Sequence, residues 1–307
     1  MGNKVSVIML TYNSDSQGII NALRSLLAQT YKDLELIIHD DGSKFFDQQT
    51  ISDFLVEQKA AMPYQIVHNP ENVGTVRNFN RAWRKATGEY IVVLPGDDCF
   101  AEPESIAHIV DCFEKTGCDI CYGRRRGKTS GRIEPDQRTI QQFLSYSSED
   151  RAARIFYTNI FCGATLSYRR SLLEECGGFD EQYRLLEDYP FMIRAVLEQR
   201  KIEFLNEPTI VYGENGVSAS GKVNPILKAD FDRNYQNSIL PRLDLVKSRI
   251  LRRYLQYRFF SKHTDQCRTL VYIRFADVLI FKLKNRLAHI IFRKKQDEFE
   301  QLIRNDS

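Results

Sequence analysis

The first 123 residues alternate between strand-like and helix-like segments, and this alternation constrains the fold more than any other feature of the sequence. Short apolar runs predict buried strands, for example VSVIML (5–10), LELIIH (34–39) and YIVVL (90–94). Stretches with apolar residues every three or four positions, such as 73–86, lie between them and predict helices. Such alternation is typical of βαβ units joined in a mostly parallel sheet. We therefore expect an α/β protein.

The middle of the chain continues this pattern less regularly. A helix is predicted over 139–160, a strand over FCGATLSY (161–168), and two short strands over IEFL (202–205) and TIVY (209–212). The run RRRGKTSG (124–131) contains no apolar residue and predicts an exposed loop. Its basic residues could approach a phosphate, although a solvated loop is the simpler interpretation.

Composition excludes several classes of protein. Hydrophobic residues make up 43% and charged residues 27% of the chain, which is ordinary for a globular protein and excludes a disordered or collagenous one. Seven scattered cysteines, an odd number, do not predict a disulfide framework, so the expected compartment is the cytoplasm. No segment approaches roughly 18 uncharged apolar residues, so no transmembrane helix is expected.

Three of the predicted strands end in polar residues. These are Thr11, Tyr12 and Asn13 after the first strand, Asp40 and Asp41 after the second, and Asp97 and Asp98 after the fourth. The carboxyl ends of parallel strands share one edge of a sheet, so all three groups would face one crevice. Two adjacent carboxylates repel each other, and a divalent cation with a phosphate-bearing ligand would offset that repulsion. Alone, the Asp97–Asp98 pair is more typical of a solvated turn that caps the next helix.

Four segments, taken together, resemble family 2 glycosyltransferases of the GT-A fold. They are VSVIMLTYNSD, SLLAQTYKDLELIIHDDGS, NVGTVRNFNRAWRKATGEYIVVLPGDD and CGGFDEQYRLLEDYPFMIRA, in family order between about residues 4 and 215. The resemblance implies a mostly parallel central sheet flanked by helices, with a helical C-terminal extension. The implied divisions are a catalytic domain (1–240), with nucleotide-binding (1–123) and acceptor-binding (124–240) halves, and an extension (241–307).

The resemblance implies that the first two strand ends bind a nucleotide. Tyr12 would stack on the nucleobase, with Thr11 and Asn13 beside it. Asp41 would accept a hydrogen bond from a base N–H, and Asp40 would contact the base or ribose. The alternatives are a buried tyrosine at a strand end and two aspartates that stabilise a turn.

The resemblance also implies the residues of the transfer step. Asp98 would bind Mn²⁺ or Mg²⁺, Asp97 would contact the ribose or donor sugar, and Arg77 would bind the diphosphate. Asp188 would be the general base and Glu187 its acidic partner. The alternatives are a surface ion pair for Arg77 and, for the acidic pair, helix N-terminal acids that the macrodipole stabilises.

One segment departs from the family pattern. Related enzymes often carry an Arg and a His after the last strand, where this chain reads VYGENGVSAS, with Gly213, Glu214 and Asn215. The resemblance therefore supplies no third protein ligand for the metal.

The C-terminal extension is basic and rich in aromatic residues. Residues 241–307 carry 16 Lys+Arg against 7 Asp+Glu, and the charges are interleaved with Leu, Ile, Phe and Tyr. This pattern predicts two amphipathic helices that lie on an anionic membrane surface. The alternative is packing on the catalytic domain or on another copy of the chain as a homo-oligomer. No nucleic-acid-reading motif is present, so a nucleic-acid partner is not expected.

The sequence thus predicts an inverting, metal-dependent glycosyltransferase. Its donor would be a nucleotide sugar, a UDP-sugar in particular, and its acceptor a glycan or lipid-linked saccharide in surface polysaccharide synthesis. A cytoplasmic protein, peripheral at the inner face of the plasma membrane, would suit such an acceptor. The alternative function is a non-catalytic nucleotide-sugar-binding or scaffold protein with the same fold.

Overall fold

The chain divides into two units, each with its own buried core. The computed structural model describes residues 3–213, 224–263, 268–292 and 298–304. The first unit comprises Met1–Gln141 and Ile160–Asp230, and the second comprises Gln142–Asn159 and Phe231–Ser307. The functional division at residues 123 and 240 stays a prediction.

The strands belong to one mixed sheet in the first unit. They are β1 Val5–Thr11, β2 Leu34–Asp40, β3 Tyr64–His68, β4 Tyr90–Val93, β5 Cys99–Phe100, β6 Ile120–Gly127, β7 Ile133–Glu134, β8 Leu166–Arg169 and β9 Ile202–Tyr212. Along the sheet their order is β3-β2-β1-β4-β8-β6-β9-β5, with β7 paired to β6. Strands β1 to β4 pair in parallel, as does β6 with β9, whereas β5, β7 and β8 are antiparallel to their neighbours.

Some helices belong to the first unit together with the sheet, and the others make up the second unit. They are α1 Ser16–Leu27, α2 Gln48–Glu57, α3 Thr75–Trp83, α4 Ser105–Thr116, α5 Gln137–Ser145, α6 Ser148–Tyr157, α7 Arg170–Cys176, α8 Asp188–Leu197, α9 Pro225–Asn234, α10 Arg249–His263, α11 Arg268–Arg274, α12 Ala276–Phe292 and α13 Glu298–Arg304. The expected α/β fold with a helical C-terminal extension is confirmed.

Strands β1 and β2 are buried on both faces, which explains their nearly continuous apolar sequences, whereas the edge strand β3 is partly exposed. In β1, residues Val5, Val7 and Met9 lie in the apolar core that also contains side chains of α1, α2 and α4. On α3, the apolar stripe predicted from the sequence is buried at Val76 and Phe79 and nearly so at Trp83. The register pairs Thr11 with Asp40, which places the polar ends of β1 and β2 side by side.

Strand β6 includes the sequence RRRG (124–127), which was expected to begin an exposed loop. Arg125 pairs with Glu134 of β7 in register, and its side chain forms an ion pair with the same glutamate at 2.8 Å. Arg126 likewise forms an ion pair with Glu102 at 3.2 Å. These acids neutralise a run of charge that looks incompatible with a strand when it is read alone.

Two further segments differ from the predictions. The single helix expected over 139–160 is two helices, because Ser147 caps α6 by accepting the N–H of Asp150. The two short strands expected at 202–212 are one strand, β9. An irregularity in the β6–β9 register at Arg124, opposite Pro208, lets the strand pass through a residue that cannot donate to the ladder.

The second unit consists of helices around an aromatic and aliphatic core. Fully buried side chains include Leu251 of α10, Val278 of α12 and Phe299 of α13. Tyr157 of α6 donates its hydroxyl to Glu298 at 2.7 Å. The predicted pair of C-terminal helices is thus a set of shorter ones. Within the described ranges, no helix has the length and apolar character needed to cross a bilayer.

Candidate active site

Asp40 closes a hydrogen-bond network at the ends of the first three strands. One oxygen of this fully buried carboxylate accepts the hydroxyls of Thr11 at 2.8 Å and Ser43 at 2.6 Å. The other accepts the Ser43 backbone N–H at 2.8 Å and contacts Nδ1 of His68 at 2.8 Å. Asn13, at a left-handed φ of 50°, donates its N–H to the Ser43 hydroxyl at 2.7 Å. The predicted residues Thr11, Asn13 and Asp40 therefore do lie together.

Asp41 faces away from that network, towards the start of α3. Its Oδ1 accepts the N–H of Val73 at 2.9 Å and the side-chain amide of Asn69 at 3.3 Å. Its Oδ2 accepts the N–H of Gly74 at 2.9 Å. These two backbone amides precede Thr75, the first residue of α3, so the buried Asp41 fixes the segment that leads into the helix.

Two aromatic rings stand uncovered at this end of the sheet. Tyr12, which follows β1, is 52% exposed, and Phe45, in the turn after β2, is 82% exposed. The Asn13–Ser43 hydrogen bond ties their two loops together. An exposed Tyr12 excludes the alternative of a buried tyrosine at a strand end. Phe45 was not among the residues that the sequence analysis singled out.

Asp97 and Asp98 follow β4 but have opposite environments. Asp97 is exposed, whereas Asp98 is 1% exposed. Oδ1 of Asp98 accepts the N–H of Gly213, the residue after β9, at 2.7 Å. A Cβ at Gly213 would lie 2.8 Å from the Asp97 carbonyl oxygen, so only glycine allows this approach. Oδ2 of Asp98 is buried and has no hydrogen-bond partner among the described residues.

The environment of Asp98 disfavours its charge. The pKa of Asp98 is raised to about 7, because burial and the Asp97 charge raise it more than the Gly213 N–H and Arg125 lower it. A buried carboxylate with one unpaired oxygen is unfavourable unless a cation or a proton reaches it. A cation or a proton at Oδ2 would therefore stabilise Asp98.

Glu187 and Asp188 lie at the start of α8, with Glu187 as the preceding residue and Asp188 as the first. Removal from water, followed by the adjacent Asp188 charge, raises the pKa of Glu187 to about 8. A raised pKa keeps Glu187 protonated near neutral pH. The pair therefore does not carry two full negative charges there.

Arg125 and Cys162 interact electrostatically with the acidic groups described above. Arg125 Nη1 donates to Cys162 Sγ at 3.4 Å, and its guanidinium lies 4.9 Å from the ring centroid of Tyr212. The pKa of Cys162 is raised to about 11, because burial and the Asp188 charge raise it more than Arg125 lowers it. Arg125 also lowers the pKa of Asp98. Arg125 thus interacts electrostatically with Asp98 and contacts Cys162, whose pKa the Asp188 charge raises.

Arg77 is the predicted residue whose position is least distinctive. Its side chain is 55% exposed and forms an ion pair with Glu181 at 3.6 Å. The surface ion pair considered as its alternative is therefore present. Glu214 and Asn215, part of the segment that departs from the family pattern, lie outside the described residues.

Asp98 is the candidate residue for holding a metal ion in this arrangement. Throughout the ranges that the structure describes, no three His, Cys, Asp or Glu side chains form a cluster that could hold a metal ion. Asp98 nevertheless fits a divalent cation, because its buried Oδ2 has no hydrogen-bond partner among those residues and hard cations prefer such oxygens. The other ligands of the cation would have to be groups other than a cluster of described His, Cys, Asp or Glu side chains.

The family follows from the sequence match. Residues 6–177, more than half of the chain, match the model of "Glycosyl transferase family 2". The chain belongs to this family. It is a glycosyltransferase with the GT-A fold, as the resemblance implied. An uncharacterized glycosyltransferase of Nostoc is 29% identical over 272 residues, which cover 83% of this chain and 81% of the relative.

Two solved structures share the fold of this glycosyltransferase. TarS (residues 1–349) of S. aureus, in complex with UDP-GlcNAc, has a TM-score of 0.59 and 20% identity, covering 99% of this chain and 91% of TarS. The mannosyltransferase PcManGT from Pyrobaculum calidifontis, in complex with GDP-Man and Mn²⁺, has a TM-score of 0.57 and 17% identity, covering 99% and 84%.

Proposed function

We propose that this glycosyltransferase inverts the configuration of the sugar that it transfers from a UDP-sugar to a glycan or lipid-linked saccharide, with the help of a divalent cation. The observation that carries the proposal is Asp98, a buried carboxylate with one oxygen that no described residue pairs. The UDP-GlcNAc bound by TarS and the Mn²⁺ bound by PcManGT support the choice of donor and cation.

The donor would bind at the ends of β1, β2 and β4. Tyr12 would stack on the base, and Asp97, exposed beside Asp98, would reach the ribose or donor sugar. Asp40 and Asp41 already accept several hydrogen bonds within the protein. Those bonds favour a role in shaping the pocket for these two aspartates over the direct base contacts that the resemblance implied.

Asp98 would hold Mn²⁺ or Mg²⁺ through Oδ2. The bound cation would neutralise charge on the departing nucleoside diphosphate. Arg77 is the exposed cationic side chain on α3 proposed to contact the diphosphate, and it would have to release Glu181 to do so.

Asp188 would act as the general base. It takes the proton of the acceptor hydroxyl while that oxygen forms a bond to the anomeric carbon and the bond from that carbon to the phosphate oxygen breaks. The leaving diphosphate keeps the electron pair, and a single displacement inverts the configuration. A protonated Glu187, as its raised pKa favours, leaves the negative charge of the pair on Asp188.

A screen of nucleotide sugars tests this proposal. We expect nucleoside diphosphate release with a UDP-sugar, and thermal stabilisation by UDP because a ligand of the folded state raises its apparent stability. Asp188→Asn should lower turnover by about 10³-fold and leave UDP affinity nearly unchanged. Asp111→Asn, at an exposed acid of α4, is the matched control.

Two results would contradict these assignments. Wild-type turnover in Asp188→Asn would remove Asp188 as the base. UDP binding without turnover of any nucleotide sugar, with a range of acceptors, would favour the non-catalytic binding or scaffold protein instead.

We further propose that α11 and α12 dock on the anionic inner face of the plasma membrane, where a lipid-linked acceptor would lie. Helical hydrogen bonds continue between the two helices through Phe275, whose N–H donates to Val271 and whose carbonyl accepts from Leu279, both at 3.1 Å. One face of this pair is buried through Val271, Phe275 and Val278. Among the side chains of these helices that the structure describes, the exposed large apolar ones are Leu270, Tyr272, Ile273, Ile280 and Leu283.

The charge of residues 241–307, 16 Lys+Arg against 7 Asp+Glu, complements an anionic leaflet. Sedimentation with vesicles of phosphatidylglycerol and phosphatidylcholine should pellet the wild-type protein, and less of it at high salt. The double substitution Ile273→Glu and Ile280→Glu should abolish pelleting, whereas Val56→Glu, at an exposed apolar residue of α2, should not. Equal pelleting with uncharged vesicles, or a change of oligomeric state in the double variant, would contradict membrane docking.

A further inference from the structure

The loop that leads into the acidic pair converges on one buried carboxylate. Three consecutive backbone amides donate to Oδ2 of Asp230, those of Arg184 at 2.9 Å, Leu185 at 2.7 Å and Leu186 at 3.2 Å. Asp230 lies on α9 and is 2% exposed. The next residue in the loop is Glu187, so these hydrogen bonds fix the backbone immediately before the acidic pair.

The other side of this loop is fixed to the start of α3. The carbonyl of Arg184 accepts the N–H of Val76 at 3.2 Å, and its guanidinium donates to the Asn72 carbonyl at 3.0 Å and side chain at 2.8 Å. Gly74 has a φ of 91°, and a Cβ there would lie 2.5 Å from the Arg184 carbonyl oxygen. The loop therefore packs closely against the segment whose amides Asp41 holds.

Asp230 is the hydrogen-bond acceptor that fixes the 184–186 loop. Glu187 caps α8 without a side-chain hydrogen bond, so the helix start has no local polar anchor of that kind. Amides that are buried or partly buried are unfavourable without an acceptor, and three of them donate to the same oxygen. Asp230 is therefore the group whose removal would release the loop while leaving every residue of the acidic pair in place.

We propose that Asp230 is a positioning residue for the transfer reaction, which holds the 184–186 loop so that Asp188 meets the acceptor hydroxyl. The proposal rests on the proposed role of Asp188 as the base. Small displacements of a catalytic group lower rates strongly, because the reacting atoms must be aligned before the bond forms. The three amides that donate to Asp230 belong to the 184–186 loop, whereas Asp41 holds the amides of Val73 and Gly74 independently, so donor affinity should be insensitive to Asp230.

Three substitutions separate positioning from general structure. Asp230→Ala should lower kcat by about 30- to 100-fold and change the Kd for UDP by less than about twofold. Asp230→Asn keeps an acceptor oxygen and should recover most of the lost turnover. Lys228→Ala, at an exposed residue of the same helix, is the matched control and should behave as wild type.

Hydrogen exchange gives a readout that does not depend on activity. The amides of residues 184–186 should be protected in the wild-type protein, with or without UDP, and exchange faster in Asp230→Ala. If that variant does not fold, Asp230→Glu replaces it, because the longer side chain shifts the carboxylate, and kcat should fall about tenfold with an unchanged Kd for UDP.

Each outcome decides between the two proposals. Wild-type turnover and unchanged exchange in Asp230→Ala, or wild-type turnover in Asp230→Glu, overturn the positioning role while the base assignment stands. Wild-type turnover in Asp188→Asn contradicts the base assignment and, with it, the positioning role that depends on it. A parallel loss of kcat and UDP affinity in both Asp230→Ala and Asp230→Asn shows a general structural role and also overturns the proposal.

Discussion

The buried aspartates at the end of β2 and the buried aspartate after β4 differ sharply in the number of hydrogen-bond donors that reach them. Asp40 and Asp41, at the end of β2, are buried, and both oxygens of each accept hydrogen bonds within the protein. Asp98 is equally buried, yet one oxygen accepts a single backbone N–H and the other has no partner among the described residues. Glu187, like Asp98, has a raised pKa.

This difference distinguishes carboxylates that stabilise the fold from carboxylates that suit a functional site. A buried carboxylate that receives several N–H and O–H donors stabilises the loops that donate to it. A buried carboxylate without enough donors lowers stability unless a cation or proton arrives, and such groups are typical of functional sites. The same side chain at neighbouring strand ends can therefore serve either purpose, and its partners decide which.

Within this comparison, the largest expected effect concerns Asp98. Asp98→Asn should lower turnover by about 10²- to 10³-fold, because the buried oxygen proposed to hold the cation loses its charge. The free energy of unfolding should stay close to the wild-type value, since asparagine still accepts the Gly213 N–H and its unpaired amide group replaces an unpaired buried charge. UDP titrations with and without Mn²⁺ should show cation-dependent affinity in the wild type only. Cation-independent UDP affinity in the wild type would contradict the metal assignment.

Asp41 should show the reverse pattern. Asp41→Ala leaves the amides of Val73 and Gly74 without their acceptor, and the free energy of unfolding should fall by about 2–4 kcal/mol. Urea denaturation followed by circular dichroism measures this loss. If the variant keeps wild-type stability and loses only UDP affinity, Asp41 is a direct nucleotide contact and the comparison with Asp98 fails.

Glu187 allows a smaller test through pH. Its folded-state pKa, about 8, is above the ordinary value of 4.5, so the folded state holds this proton more tightly than the unfolded chain. The contribution of Glu187 to stability should therefore fall as pH rises from about 4.5 to 8 and stay constant above that range.

Glu187→Gln removes this dependence. Its melting temperature relative to wild type should rise between pH 5 and pH 8.5, by at least about 3 °C. Glu198→Gln, at an ion-paired glutamate near the end of the same helix, is the control and should show no such rise. A constant difference across pH would mean that Glu187 ionises normally in the folded protein.

The sequence was informative where structure depends on neighbours along the chain. Strands β1 to β4 and the polar residues that follow them were predictable, because apolar runs and helix-spaced stripes are local patterns. The fold and the family that these motifs predicted are confirmed. The extension of β6 over Arg124–Gly127 was not predictable, because the acids that neutralise Arg125 and Arg126 come from other elements.

The hydrogen-bond partners of the acids were equally hidden. The sequence places Asp40 and Asp41 next to each other, but it does not reveal that one faces Ser43 and the other faces the start of α3. Asp230 gave no signal at all, because its donors lie more than 40 residues earlier in the chain. Nothing in the local sequence distinguishes it from an ordinary surface aspartate of a helix.

Trp83, the single tryptophan of the chain, gives this enzyme an intrinsic fluorescent reporter. Its indole N–H donates to Asn80 at 3.2 Å, and Asn80 accepts the N–H of Phe179 at 2.9 Å and donates to its carbonyl at 2.8 Å. The fluorophore therefore lies where α3 meets the segment that leads to the acidic pair. Emission from the unlabelled protein can follow changes at this junction as donor and acceptor bind, without any engineered probe.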